Sequence, residues 1–171
     1  LSHIRIDKLR STIKFIRKFS KVPICIDTEG AQIRTKIKKK RICKYNERLT
    51  IFKNEGNFKI YPPEAFSKIK KNDFLDIGFD NLKIKIVKIY PKRINCKIVT
   101  GGLLENNKGI HLVNRNIKLN YITEKDKRAI DIAKKMDIKH YALSFTNSHK
   151  DIVKFNKLLQ DKIKIFKIET K

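Results

Sequence analysis

The sequence predicts a mixed α/β fold in which helix–strand units with parallel strands are interrupted by a small all-β domain. Three observations predict it. Apolar residues recur at spacings of three and four over residues 4–20, 123–136 and 148–159, the signature of amphipathic helices. Between residues 31 and 116 they alternate singly with polar residues, the signature of half-buried antiparallel strands. Short apolar runs at 22–27, 140–145 and 163–169 flank the helices, and strands separated by helices argue for a parallel sheet.

Each element follows in chain order. Ile6, Leu9, Ile13, Ile16 and Phe19 form one stripe of the first helix. The strand Val22–Asp27 comes next. In the middle zone Ile33, Thr35 and Ile37 alternate with polar residues, as do Leu82, Ile84 and Ile86 and the run INCKIV. The stretches NEGN, YPP, FDN and TGG separate these runs as turns. Thr123 followed by Asp126 reads as a helix start, with Ala129, Ile130, Ala133 and Met136 as its apolar stripe. Ser148 followed by Asp151 marks a second start, ahead of Ile152, Phe155, Leu158 and Leu159. The runs HYALSF and IKIFKIE supply the remaining strands.

Composition narrows the function classes. The chain has 171 residues and a net charge of +25, from 42 Lys and Arg against 17 Asp and Glu. That charge alone suggests a nucleic-acid partner. Its distribution argues against one: lysine is spread evenly, Lys36–Arg41 is the one compact basic run, tryptophan is absent, and the aromatics are scattered. Cys25, Cys43 and Cys96 are odd in number and far apart, which suggests neither a disulfide framework nor a zinc site and fits a reducing cytoplasm. His3, His111, His140 and His149 show no metal-ligand spacing. No apolar run approaches the roughly 20 residues that span a bilayer, so a soluble protein is expected. The chain opens on Leu1 inside what reads as an element, which suggests a segment of a longer protein.

The polar residues at the strand tips carry the chemistry. Asp27 and Thr28 end the first strand, Ser144 the next, and Lys167 with Glu169 the last; Ser2 and His3 precede the first helix. With parallel strands these ends share one side, and in a (β/α) barrel that side handles ligands. Alternation sets Lys167 and Glu169 on one face, opposite Phe166 and Ile168. Asp27 and Thr28 could instead cap a turn, and Lys167, Glu169 and the loop residue Lys108 could be solvated charge.

DTEGAQIRT, GGLLENNKGIHL, TEKD, ALSF and the final IFKIE, in this order, resemble successive landmarks of pyruvate kinase, and the opening LSH resembles the end of that family's second barrel strand. The resemblance spans nearly the whole chain and corresponds to the central part of a pyruvate kinase. It implies a partial TIM (β/α) barrel from residues 1–30 and 117–171 with an inserted all-β lid at 31–116. It implies transfer of a phosphoryl group from phosphoenolpyruvate to ADP, giving pyruvate and ATP in glycolysis, with Mg²⁺ or Mn²⁺ and K⁺ as cofactors. It further implies a cytoplasmic enzyme that is a homotetramer at full length, with no membrane or nucleic-acid partner. By the same resemblance Ser2, Asp27 and Thr28 hold the monovalent cation, and Ser2, His3, Arg34 and Lys108 contact nucleotide phosphates. Lys167 stabilises the transferring phosphoryl group, and Glu169 is one of two carboxylates on the divalent metal. Such an inventory suits phosphoryl transfer, which rests on positioning and charge compensation.

The chain departs from the family pattern in several places. Glu29, Ala31 and Gln32 stand where the family usually has Lys, Pro and Glu, which puts K⁺ dependence in question. LDIGFDN replaces a glycine-rich acidic stretch, Asn147 replaces an arginine, and Val113 and Asn114 replace a proline and a glycine. The second metal carboxylate, a downstream threonine and the upstream Arg and Asn fall outside the chain, and a barrel needs about 250 residues to close. The segment alone is therefore expected to be inactive. The alternatives are a diverged relative with altered or no activity and, from another class, a basic β-barrel module that binds nucleic acid.

Overall fold

The computed structural model describes residues 1–78, 82–113 and 115–169. The FDN turn and the Asn114 substitution lie outside the described residues. The first half of the chain runs through α1 (Ile6–Phe19), β1 (Cys25–Asp27), β2 (Ile33–Ile37), β3 (Arg41–Cys43), β4 (Arg48–Phe52), β5 (Phe58–Tyr61) and a 3-10 turn (Pro63–Lys68). It continues through β6 (Phe74–Ile77), β7 (Leu82–Ile89), β8 (Arg93–Thr100), β9 (Gly102–Leu104), β10 (Gly109–Leu112), α2 (Glu124–Lys135), β11 (His140–Leu143), α3 (His149–Leu158) and β12 (Ile163–Phe166). The chain divides into two compact units, Leu1–Ala31 with Asn120–Lys171 and Gln32–Leu119.

The first unit is a three-stranded parallel sheet in the order β1-β11-β12, accompanied by its helices. Asp27 is in register with Ala142, and Leu143 with Phe166, so the carboxyl ends of the three strands lie level. Leu9, Ile13, Ile26, Ala129, Ile130, Tyr141, Leu143 and Phe155 form its core. Each fully buried large side chain contributes about 1.5–3 kcal/mol. Helix α2 starts where its capping box dictates: Thr123 accepts the Asp126 N–H while the Asp126 carboxylate accepts the Thr123 N–H. Helix α3 starts at Ser148, whose hydroxyl accepts the Asp151 N–H.

Three details differ from the sequence reading. The α1 stripe is narrower than its spacing suggests: Leu9 and Ile13 are buried, whereas Phe19 is 69% exposed and lies 5.0 Å from the Phe15 ring on the open side of the helix. The first strand begins only at Cys25, because Pro23 lacks the N–H that a ladder needs. The last strand stops at Phe166, so Lys167 and Glu169 lie beyond it; Phe166 packs edge-on against Phe155, but Ile168 is exposed and shares no core face with it.

The second unit is all β apart from the 3-10 turn. Seven antiparallel strands run in the order β4-β8-β7-β6-β10-β2-β5, and β3 pairs with β9 as a separate ribbon. Edge strands β4 and β5 approach each other, so the sheet is a nearly closed barrel. Leu82, Ile84 and Ile86 of β7 and Ile94, Cys96 and Ile98 of β8 point inward, with Leu49, Phe58, Leu75 and Ile77 among their core partners. Cys43 and Cys96 are buried free thiols, and burial pushes Cys96 up to about 12. Asp73 is buried and held in a fork by Arg115, with Nε–Oδ1 at 2.9 Å and Nη2–Oδ2 at 2.7 Å. Among the described residues no helix is long and apolar enough to cross a membrane.

Candidate active site

The carboxyl ends of β1, β11 and β12 gather four of the side chains that the sequence singles out. Asp27 closes β1, and its carboxylate accepts two hydrogen bonds, from the Ser144 hydroxyl at 2.7 Å and from Lys167 Nζ at 3.0 Å. Glu169 lies beside them, with Oε1 3.5 Å from Lys167 Nζ and Oε2 accepting the Phe145 N–H at 3.0 Å. The backbone fixes this arrangement. Lys167 donates its N–H to the Leu143 carbonyl and accepts from Thr146, which prolongs the β11–β12 pairing past the end of the ladder. Phe145 has φ of +52°, a left-handed conformation that costs a non-glycine residue about 1–2 kcal/mol; it sits where its N–H meets Glu169.

Electrostatics at the rim follow from its partners. Desolvation pulls the Lys167 ammonium down, but the hydrogen bond to Asp27 and the charges of Asp27 and Glu169 outweigh it and hold the group above its ordinary value. About half of the Asp27 side chain and a third of those of Lys167 and Glu169 remain exposed, so all three can meet a ligand.

Beneath this trio lies a second layer. Thr28 is buried; its N–H bonds the Ala142 carbonyl and its hydroxyl accepts the Ser144 N–H at 3.0 Å. Gly30 has φ of +68°, and a Cβ there would fall 2.2 Å from the Ser144 carbonyl oxygen, so only glycine fits. Asp126, fully buried, uses one carboxylate to accept the N–H groups of Glu29 at 2.7 Å, Gly30 at 3.2 Å and Thr123 at 2.9 Å. Burial pushes its pKa up, and the three donors offset part of the shift. Glu29 is buried and meets Lys125 Nζ at 2.7 Å; the same ammonium donates to the Leu1 carbonyl at 2.8 Å.

Of the remaining candidates, Ser2 is half-buried and His3 exposed, next to the tethered Leu1. Arg34 and Lys108 belong to the β unit, where they lie close together. Arg34 is in register with Gly109 and donates to the Asn107 carbonyl at 3.1 Å, and Lys108 Nζ is 3.2 Å from Glu105. Thr35, the buried alternate residue of β2, joins the two segments: its hydroxyl accepts the Lys108 N–H at 2.9 Å and donates to the Glu105 carbonyl at 2.6 Å. In the basic run Lys36–Arg41, Lys36 lies over the Tyr61 ring and Arg41 pairs with Glu47 at 2.7 Å.

Sequence reasoning put Ser144 at the strand ends without a role of its own and gave Lys125 and Asp126 no place in the site. The TEKD capping box marks Asp126, yet its second role, accepting backbone donors from residues 29 and 30, carries no local signal. The rim sets Asp27 and Glu169 against the Lys167 ammonium, and the layer beneath sets Glu29 against Lys125 and the Asp126 carboxylate against backbone N–H groups.

Comparison with known proteins gives the family. The pyruvate kinase barrel-domain profile matches residues 2–171. The chain is 30% identical over 157 residues to the pyruvate kinase of Borreliella burgdorferi, an alignment covering 86% of this chain and 33% of the relative. It is 30% identical over 171 residues to that of Staphylococcus aureus strain NCTC 8325 / PS 47, covering 92% and 28%. It is 35% identical over 89 residues to that of Buchnera aphidicola subsp. Schizaphis graminum, covering 52% and 18%. The chain thus spans a third or less of the length of these relatives.

Proposed function

The chain belongs to the pyruvate kinase family, and from that premise we propose that it forms part of the (β/α) barrel and the lid of an enzyme that transfers a phosphoryl group from phosphoenolpyruvate to ADP. In this reading residues 1–30 and 117–171 are the partial barrel and residues 31–116 the lid, whose closure excludes water. The observation that carries the reading is the meeting of Asp27, Ser144, Lys167 and Glu169 at the carboxyl ends of three parallel strands, where Lys167 Nζ bridges Asp27 and Glu169.

Lys167 is the group assigned to the transferring phosphoryl. Its ammonium is fixed by the two carboxylates, so it meets developing charge on the phosphoryl oxygens without reorganising. Asp27 orients that ammonium and is itself oriented by the Ser144 hydroxyl. Ser2, Asp27 and Thr28 supply hard oxygen atoms of the kind K⁺ takes, and Glu169 supplies a carboxylate of the kind Mg²⁺ or Mn²⁺ takes. The donor set fits a divalent cation in kind: oxygen ligands at the strand ends, where Glu169 Oε1 lies 3.5 Å from the Lys167 ammonium and about a third of the side chain is exposed. Among the described residues no cluster of three or more His, Cys, Asp or Glu side chains could hold a metal alone, so a divalent cation at Glu169 would need further oxygen ligands from substrate or water. A divalent cation held there by Glu169 would supply compensation of phosphate charge. Arg34 can grip a nucleotide phosphate in a fork, and Lys108 serves as a point charge on a flexible stem.

Steady-state kinetics of the intact protein test the reading. Lys167→Met should lower kcat by about a hundredfold to a thousandfold, the loss typical of one preorganised donor, while phosphoenolpyruvate binding changes far less. Lys162→Met, at the start of the β12 segment and away from the rim, should leave both unchanged. Equal behaviour of the two variants would overturn the assignment.

A further inference from the structure

We infer that Lys125 is a positioning residue that sets the spacing between the Leu1–His3 segment and the turn at residues 27–30, the two segments that carry Ser2, Asp27 and Thr28. The role rests on the site reading above. One ammonium makes both ties: Lys125 Nζ is 2.7 Å from Glu29 Oε1 and 2.8 Å from the Leu1 carbonyl oxygen. Its anchor is rigid, because Lys125 sits in the first turn of α2, whose start is locked by the Thr123–Asp126 capping box.

The Glu29 end is fixed as firmly. Its carboxylate is almost fully buried against Lys125, and Thr123 Oγ1 lies 3.5 Å from its second oxygen. Its own N–H goes to Asp126, as does that of Gly30. A buried carboxylate deprived of its cation is strongly unfavourable, so the Glu29 side chain stays where Lys125 is. Asp27 and Thr28 stand immediately before Glu29, and the turn has no slack, since Gly30 packs directly on the Ser144 carbonyl. A shift of the Glu29 anchor therefore passes to Asp27, and from Asp27 to the Lys167 ammonium that it orients at 3.0 Å. Misplacement of a reacting group by about 1 Å can cost on the order of a hundredfold in rate.

Lys125 touches no reacting atom in this arrangement. Its contribution is distance, delivered as a charge whose two acceptors come from segments remote in sequence. The demand is for opposite charges at 29 and 125, so exchanging the two should preserve the turn. Removing either charge should not.

The test uses the intact protein and four forms of it: wild type, Lys125→Met, Glu29→Gln and the exchanged pair Glu29→Lys with Lys125→Glu. Hydrogen exchange of the Glu29 and Gly30 amides reads the turn, and initial rates with phosphoenolpyruvate and ADP read kcat and KM. We expect both single variants to speed exchange at the two amides by about tenfold or more. They should lower kcat by about tenfold to a hundredfold with a smaller change in KM, and the exchanged pair should recover most of both. If Lys125→Met fails to fold, Glu29→Gln carries the test, since it keeps the shape of the side chain. Unchanged amide exchange in the single variants, or an exchanged pair no better than either, would overturn the inference. If the wild type shows no turnover while the amides respond as expected, the positioning stands and the phosphoryl-transfer reading fails. If the wild type turns over and the single variants match it in exchange and kcat, the reading stands and the positioning role fails.

Discussion

At the rim of the parallel sheet Lys167 lies 3.0 Å from Asp27 and 3.5 Å from Glu169, whereas on the outer face of the β unit Lys97 stands directly opposite Arg48 on one side and Lys85 on the other. Among the described residues no carboxylate pairs with Lys97, Arg48 or Lys85; Lys85 instead rests over the Phe74 ring. Like charges placed opposite each other across strands destabilise a sheet by a fraction of a kcal/mol per pair. The same residue type thus carries different information in the two places. With 42 basic residues against 17 acidic ones, lysine is the background and the carboxylates mark where charge has been placed with a partner. The rim and the layer beneath it concentrate Asp27, Glu169, Glu29 and Asp126, and the rim is the place where the family resemblance puts the chemistry.

The contrast can be broken or sharpened by substitution, and the largest effect is expected at Asp126. Asp126→Ala orphans the N–H groups of Glu29, Gly30 and Thr123, each costing about 1–3 kcal/mol when buried, so a loss of about 3 kcal/mol or more is expected in urea unfolding. Asp76→Ala in the β unit removes a half-exposed contact to Lys83 at 3.9 Å and should cost about 1 kcal/mol or less. Equal losses would remove the distinction between placed and background acids.

Glycine replacement compares the two regions at matched backbone geometry. Gly30 and Gly78 have φ of +68° and +70°, but a Cβ at Gly30 meets backbone at 2.2 Å, whereas at Gly78 the nearest atom among the described residues belongs to the Lys108 side chain at 3.6 Å. Gly78→Ala should therefore cost about 1–2 kcal/mol of left-handed strain alone. Gly30→Ala should cost more and should also lower turnover, because the Ser144 carbonyl must move.

Acid titration offers a comparison of sign within the parallel-sheet unit. Burial raises Asp126 above its ordinary 3.8, so its contribution to stability is fully present below pH 3.8 and is lost as pH rises through the raised value. Exposed Asp137 is lowered by its hydrogen bond to Lys139, so its contribution is present above pH 3.8 and lost as pH falls through the depressed value. Unfolding measured against pH for Asp126→Asn and Asp137→Asn should give difference curves of opposite slope. The smallest effect is expected at Lys97→Glu, which turns two repulsions into attractions and should stabilise the β unit by about 0.2–1 kcal/mol.

Much of this was readable in the amino acids, for local reasons. The capping residues Thr123 and Ser148 mark the starts of α2 and α3, because a cap acts within one helical turn. Alternation marks the β unit, and apolar runs ending in polar residues mark the rim. Spacing carries no partner, however. It does not show that Phe15, Ile16 and Phe19 line the open side of α1, since helical period is the same whether or not a neighbour covers the stripe. Nor does it show that the Asp126 carboxylate reaches back across more than ninety residues to Glu29, or that Glu29 pairs with Lys125. Those contacts arise only once strand pairing has brought distant segments together.

In the proposed reading Glu169 helps to hold a divalent cation for phosphoryl transfer, and Glu169→Gln in the intact protein probes that role. The substitution keeps an oxygen for the Phe145 N–H and removes the charge. Initial rates with phosphoenolpyruvate and ADP across a Mg²⁺ titration should show a half-maximal concentration raised about tenfold or more, with part of the lost rate recovered at high Mg²⁺. A half-maximal Mg²⁺ concentration equal to that of the wild type would contradict the account and return Glu169 to the background of solvated charge.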